Sequence, residues 1–141
     1  MFSISIQTQF SAAHAILIRG VRESLHGHDW RVVAVISGGV LDPDGLLVDF
    51  HAVERELCAI TEPFRNTNLN ECTPFDRVNP TAEEIARHIG DRLLSHLETR
   101  LPRDPKTDLS AQWFVDSVSV TEAPNCVATY RPSRTPGDSR A

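Results

Sequence analysis

Residues 2–10 alternate without interruption, with Phe2, Ile4, Ile6, Thr8 and Phe10 on one side and Ser3, Ser5, Gln7 and Gln9 on the other. A period of two fits a strand with one face on a core and the other in water. The segment ends on Phe10-Ser11-Ala12-Ala13-His14, and twelve residues after His14 the sequence His26-Gly27-His28 runs into a second apolar alternation, Trp30, Val32, Ala34 and Ile36. Imidazoles two residues apart on a strand share a face. A third at the end of the preceding strand can close three corners of a tetrahedron, which leaves a fourth for water or substrate, as in catalytic zinc sites. Spacing alone equally admits surface or hydrogen-bonded histidines. The metal reading is favoured because both segments reach the mouth of one sheet.

Beyond a loop over 15–25, the second strand is predicted over 28–38, with turns at Gly38-Gly39 and Asp42-Pro43-Asp44-Gly45. A short extended piece, Leu46-Leu47-Val48, leads to Asp49 as a helix cap. Phe50, Val53, Leu57 and Ile60 then give an amphipathic helix that Pro63 helps to end. Residues 63–80 read as a long loop, unusual enough in a compact domain to point to a functional role. Thr81-Ala82-Glu83-Glu84 supplies a capping box for a second helix whose stripe is Ile85, Ile89, Leu93 and Leu97. Strands are predicted over 111–122 and 126–131, turned at Ala123-Pro124-Asn125, and the polar tail 132–141 is predicted to fray. The order ββααββ makes one α+β domain over 1–131, a four-stranded antiparallel sheet with two helices on one face. The other sheet face, taken as half-apolar, and both edges would stay uncovered, so self-association is expected.

A formal net charge of −5 with no basic run argues against a nucleic-acid surface. No apolar stretch approaches the roughly 18 residues that cross a bilayer, and the first strand begins at once, so neither a membrane span nor a secretory signal is expected. Cys58, Cys72 and Cys126 are odd in number and scattered, which fits a reducing cytoplasm. His51, His88 and His96 fall on the helices, outside the metal pattern, and read as surface residues.

The motifs FSAAH ending at His14, His26-Gly27-His28, Gly45-Leu46-Leu47-Val48-Asp49-Phe50, Leu69-Asn70, Asn79-Pro80-Thr81-Ala82-Glu83 and Thr121-Glu122 occur in register. Together they resemble the 6-pyruvoyl-tetrahydropterin synthase family, which includes the 6-carboxy-tetrahydropterin synthases of queuosine biosynthesis, over roughly residues 2–131. The resemblance implies the tunnelling fold, assembled as a hexamer from two trimer rings. It implies zinc held by His14, His26 and His28, and a pterin ring anchored by Glu122, whose carboxylate can accept from two adjacent donors of the pyrimidine edge. Thr81 and Glu83 fall where such proteins complete the pterin pocket, although a cap alone would explain Thr81.

The chain also departs from the usual pattern. The cysteine that serves as base a few residues before His-Gly-His is missing, since residues 19–25 read RGVRESL. Arg65 and Asn66 stand where an Asp-His proton relay would be, and neither is a base near neutral pH. Glu23-Ser24-Leu25-His26-Gly27-His28 is instead similar to a branch with glutamate in place of the cysteine. That branch cleaves the side chain of 7,8-dihydroneopterin triphosphate to 6-hydroxymethyl-7,8-dihydropterin. The resemblance therefore implies a zinc-dependent pterin lyase with Glu23 as base. Arg65, and with it Arg19 and Arg22 in the loop before His26, is either an ordinary surface residue or a ligand for the triphosphate. The alternatives are the ordinary 6-pyruvoyl or 6-carboxy reaction with altered proton relays, and a catalytically silent pterin-binding paralogue.

Overall fold

The computed structural model describes residues 1–108 and 112–133. Strand β1 (Phe2–His14) and strand β4 (His26–Gly38) pair antiparallel along their whole length, from Phe2 opposite Gly38 to His14 opposite His26. Between them a two-stranded hairpin, β2 (Leu17–Ile18) and β3 (Val21–Arg22), stands as its own small sheet, turned through Arg19 (φ 51°) and Gly20 (φ 79°). Helix α1 (Phe50–Thr61), a two-residue strand β5 (Thr67–Asn68) and helix α2 (Ala82–Arg100) follow. Strands β6 (Phe114–Ala123) and β7 (Cys126–Tyr130) close the chain.

The main sheet has five strands in the order β5-β1-β4-β6-β7. Four are those expected from the pattern. The fifth, β5, runs parallel to β1 and pairs only through Thr67 opposite Ala12 and Asn68 opposite Ala13, so the sheet is mostly antiparallel. The stretch read as one long loop holds β5 and two 3-10 turns (Glu62–Phe64 and Leu69–Glu71). The second strand begins at His26, and the third begins at Phe114. Leu46-Leu47-Val48 is a bend rather than a strand, set by the Asp42 carboxylate, which accepts from the N–H groups of Asp44 and Leu46. The tail expected over 132–141 lies, beyond Ser133, outside the described residues.

Both helices cover one sheet face. Val53, Leu57 and Ile60 of α1 and Ile85, Ile89, Leu93 and Leu97 of α2 pack with Phe10, Trp30, Val32, Ile36, Val118 and Val120 of the strands. The caps are those the sequence predicts: Asp49 accepts from His51 N–H (2.9 Å) and Thr81 from Glu84 N–H (3.2 Å). Glu84 does not return the bond of a capping box; its carboxylate pairs with Arg87 (3.2 Å). Gly90 is where α2 meets the last strand, since a Cβ there would stand 2.8 Å from the Tyr130 ring. The uncovered sheet face corrects the expectation of a half-apolar surface. The register puts Ser3, Ser5, Gln7, Gln9 and Ser11 of β1 beside Val35, Val33, Arg31 and Asp29 of β4 and Ser117, Ser119 and Thr121 of β6. That face is mainly polar.

Candidate metal centre and adjoining cavity

The pairing of β1 with β4 builds the centre directly. Ala12 lies opposite His28 and His14 opposite His26, so the three imidazoles leave the core-facing side at one end of the sheet, next to Trp30. Their ligand atoms all lie within 4.8 Å of one another. His14 is fully buried, and its Nδ1 lies 2.8 Å from the Pro80 carbonyl; Nδ1 of His26 lies 2.8 Å from the Ser24 carbonyl. Carbonyls only accept, so each Nδ1 donates there, which turns each Nε2 toward the other imidazoles. These two Nε2 atoms are 3.1 Å apart. Nε2 of His28 is buried with no hydrogen-bond partner. Burial, reinforced by the neighbouring imidazoles and opposed by Glu122, holds His28 below its ordinary pKa, in the neutral form a metal needs.

Three imidazole nitrogens that converge on one partly buried point are well placed to share a cation. The donor set and the buried, unpartnered His28 nitrogen therefore fit a divalent metal such as zinc, with the Nδ1 bonds orienting the imidazoles as outer partners commonly do.

Two carboxylates flank the histidines. Glu122 falls where the β6–β7 register shifts, between Thr121 and Ala123, and its Oε1 lies 3.0 Å from His14 Nε2 and 3.7 Å from His28 Nε2. Glu23 lies just after β3 with Oε1 3.6 Å from His26 Nε2, and the same oxygen accepts from Ile16 N–H (3.1 Å).

Glu122 also lines a cavity of about 610 Å³, together with Ile16, Leu17, Ile18 and Arg19 of the hairpin region, Thr81 and Glu83 at the start of α2, and Cys126, Val127 and Ala128 of β7. The structure thus brings Glu122, Thr81 and Glu83 together. It does not bring Arg65 to them: that guanidinium pairs with Glu62 (3.0 Å) and lines neither this cavity nor a second one of about 520 Å³ beside His28, where Asn66 and Asn68 lie.

Residues the sequence reading did not single out for this role hold the hairpin. Asn70 accepts from Ala15 N–H and donates to Ala15 C=O, both at 2.8 Å, and Asn79 does the same for Leu17 at 2.9 Å. Both asparagines sit in quoted motifs, but only the folded chain puts them beside the hairpin. His88 and His96 are also not the free surface residues expected. His88 is half-buried against Phe64 and Phe75, and Nδ1 of His96 meets the buried Glu56 at 2.8 Å.

The family model described as 6-pyruvoyl tetrahydropterin synthase matches residues 3–133. A 6-carboxy-5,6,7,8-tetrahydropterin synthase from Bacillus subtilis (strain 168) is 30% identical over 139 residues, 94% of this chain and 87% of the relative. One from Rickettsia conorii is 26% identical, over 89% of this chain and 97% of the relative. Among solved structures, the Caenorhabditis elegans 6-pyruvoyl tetrahydropterin synthase superposes with a TM-score of 0.73 at 20% identity, over 94% of this chain and 96% of that one. A Plasmodium vivax 6-pyruvoyltetrahydropterin synthase superposes with a TM-score of 0.70 at 19% identity, over 94% of this chain and 98% of that one; it is a variant in which a catalytic glutamate is replaced by alanine.

Proposed function

Because the chain belongs to the 6-pyruvoyl tetrahydropterin synthase family, we propose that it is a zinc-dependent lyase acting on 7,8-dihydroneopterin triphosphate or a close relative, with 6-hydroxymethyl-7,8-dihydropterin as product. The observation that carries this reading is Glu23, in the pattern Glu-x-x-His-Gly-His and with its carboxylate 3.6 Å from His26, in a segment 19–25 that has no cysteine. The catalytic glutamate named for the Plasmodium vivax protein supports the same assignment.

His14, His26 and His28 would hold the zinc, which when bound supplies a Lewis acid that lowers the pKa of a side-chain hydroxyl. Glu122 grips the amino and ring N–H groups of the pterin, with Thr81 and Glu83 completing the pocket wall. Glu23 takes the proton of the 2′-hydroxyl as the C1′–C2′ bond breaks in the retro-aldol sense. The 2′ carbon leaves as an aldehyde, the electron pair passes to C1′ and the conjugated ring, and protonation at C1′ gives the hydroxymethyl product. Arg65, paired with Glu62 away from both cavities, has no part in this scheme.

A second reading is favoured by the 30% identical Bacillus relative, a 6-carboxy-tetrahydropterin synthase: the same centre would run that reaction with other groups in place of the missing Asp-His pair. Incubating the zinc-loaded protein with 7,8-dihydroneopterin triphosphate and identifying the pterin by mass separates the readings. A hydroxymethyl product supports the first, a carboxy or pyruvoyl product the second, and pterin binding without turnover a silent paralogue. A homo-oligomer, as two stacked trimers, and a reducing cytoplasm complete the proposal, the latter supported by three unbridged cysteines.

A further inference from the structure

We propose that Arg19, at the tip of the β2–β3 hairpin, selects for a phosphorylated substrate by binding its phosphate oxygens at the mouth of the cavity that Glu122 lines. The anion site stands on the hairpin and the cavity; its use on a pterin side chain rests on the reading above.

Ile18 pairs with Val21, so Arg19 and Gly20 form the whole loop of the hairpin. Both have positive φ, 51° and 79°, the pattern of a type I′ turn. That conformation crowds the Cβ of most residues, and asparagine or glycine is the ordinary choice for it. The chain keeps to this rule elsewhere: the other non-glycine residues with positive φ among the described residues are Asn66 (56°) and Asn125 (65°). Arg19 is the exception. Backbone strain of this kind gathers where a side chain is kept for what it does. The base of the hairpin is also fixed, since Asn79 makes two hydrogen bonds to the Leu17 backbone and Asn70 two to that of Ala15.

What that side chain can do follows from its surroundings. Among the described residues no hydrogen bond or ion pair engages the Arg19 guanidinium, although Glu83 and Glu122 line the same cavity. The other two arginines with a claim on the phosphates are engaged elsewhere: Arg22 donates to the Ala15 carbonyl (3.2 Å), Arg65 pairs with Glu62 (3.0 Å), and neither lines the cavity. Arg19 is thus the one cationic side chain in that lining. Without it, two carboxylates on a chain of net charge −5 would repel a polyanion. A planar guanidinium can give a phosphate two parallel N–H bonds. Glu122, 3.0 Å from His14, is placed for the ring end of the substrate. Arg19, exposed at the hairpin tip, is placed for the strongly hydrated phosphate end, at the solvent margin.

Calorimetric titration of wild type, R19N, R19K and R65A with neopterin, neopterin triphosphate and inorganic triphosphate tests this, with metal content measured before and after each titration. Wild type should bind neopterin triphosphate at least about tenfold more tightly than neopterin, the worth of one charge-assisted hydrogen bond. R19N should lose that preference while its neopterin affinity is unchanged, and it should melt no lower than wild type because asparagine suits the turn. R19K should keep part of the preference and R65A all of it. Inorganic triphosphate should likewise bind wild type more tightly than R19N. An R19N protein that keeps the wild-type preference, or that weakens both pterins equally, overturns the proposal. A wild type that binds both pterins equally also overturns it, and leaves the pterin reading standing. If R19N weakens inorganic triphosphate but no pterin binds wild type, the anion site stands and the pterin reading fails instead.

Discussion

At the scale of single residues, the three histidines were legible because their relation is local: one strand alternation and one hairpin-like register fix all of them. Glu23 was legible only through its place in a motif, and its proximity to His26 is what gives that place chemical content. Glu23→Gln is expected to lower kcat by roughly 10²–10⁴-fold, the usual worth of a general base. Metal content measured on the same sample should be unchanged, and normal turnover would remove Glu23 from the mechanism. His88 was misread because burial of a helix imidazole depends on what packs across from it, here Phe64 and Phe75. Burial, with Arg92 adding to it and Asp91 opposing, holds His88 below the ordinary value of 6.5. The unfolded chain therefore takes up a proton first as pH falls, so His88 costs nothing above about pH 6.5 and costs stability below it. Thermal melts of metal-free protein from pH 7.5 to 5.5 should show His88→Leu losing less Tm on acidification than wild type does.

At the scale of elements, the strands and helices with a clear period were read with ends off by a few residues, while β5 and the two 3-10 turns were not read at all. A ladder of two residues has no alternation to detect, and its pairing with Ala12 and Ala13 is decided by the rest of the sheet. The same segment carries Asn70 and Asn79 to the hairpin, which has no contact with the main sheet through backbone pairing. Asn79→Ala removes two hydrogen bonds at a partly exposed site and should cost about 1 kcal/mol of local stability. Hydrogen exchange of the Leu17 amide should speed up accordingly while the amides of β4 stay protected; equal protection in the variant would mean the hairpin is held by something else.

For the whole molecule, the α+β architecture followed from element order, but the character of the free sheet face did not. Alternation says which residues share a face, not which face the helices take; the Ser-Gln row of β1 is the outer one. With that face mainly polar, the edges are what remain for association. The outward backbone of β1 is paired by β5 only at Ala12 and Ala13, and β7 forms the other margin. Joining such edges between copies would satisfy their N–H and C=O groups. Sedimentation equilibrium should give a multiple of the 15.7 kDa chain mass, six for two stacked trimers, and a monomer at micromolar concentration would rule the assembly out. The hairpin over the cavity bears on how such a protein can change. Asn70 and Asn79 grasp main-chain groups, and Arg22 donates to the Ala15 carbonyl (3.2 Å), so the side chains from Leu17 to Val21 are the ones these bonds leave uncommitted. Substrate preference can drift there over generations, or be shuffled in a combinatorial library, while the strands that carry His14, His26 and His28 keep their sequence.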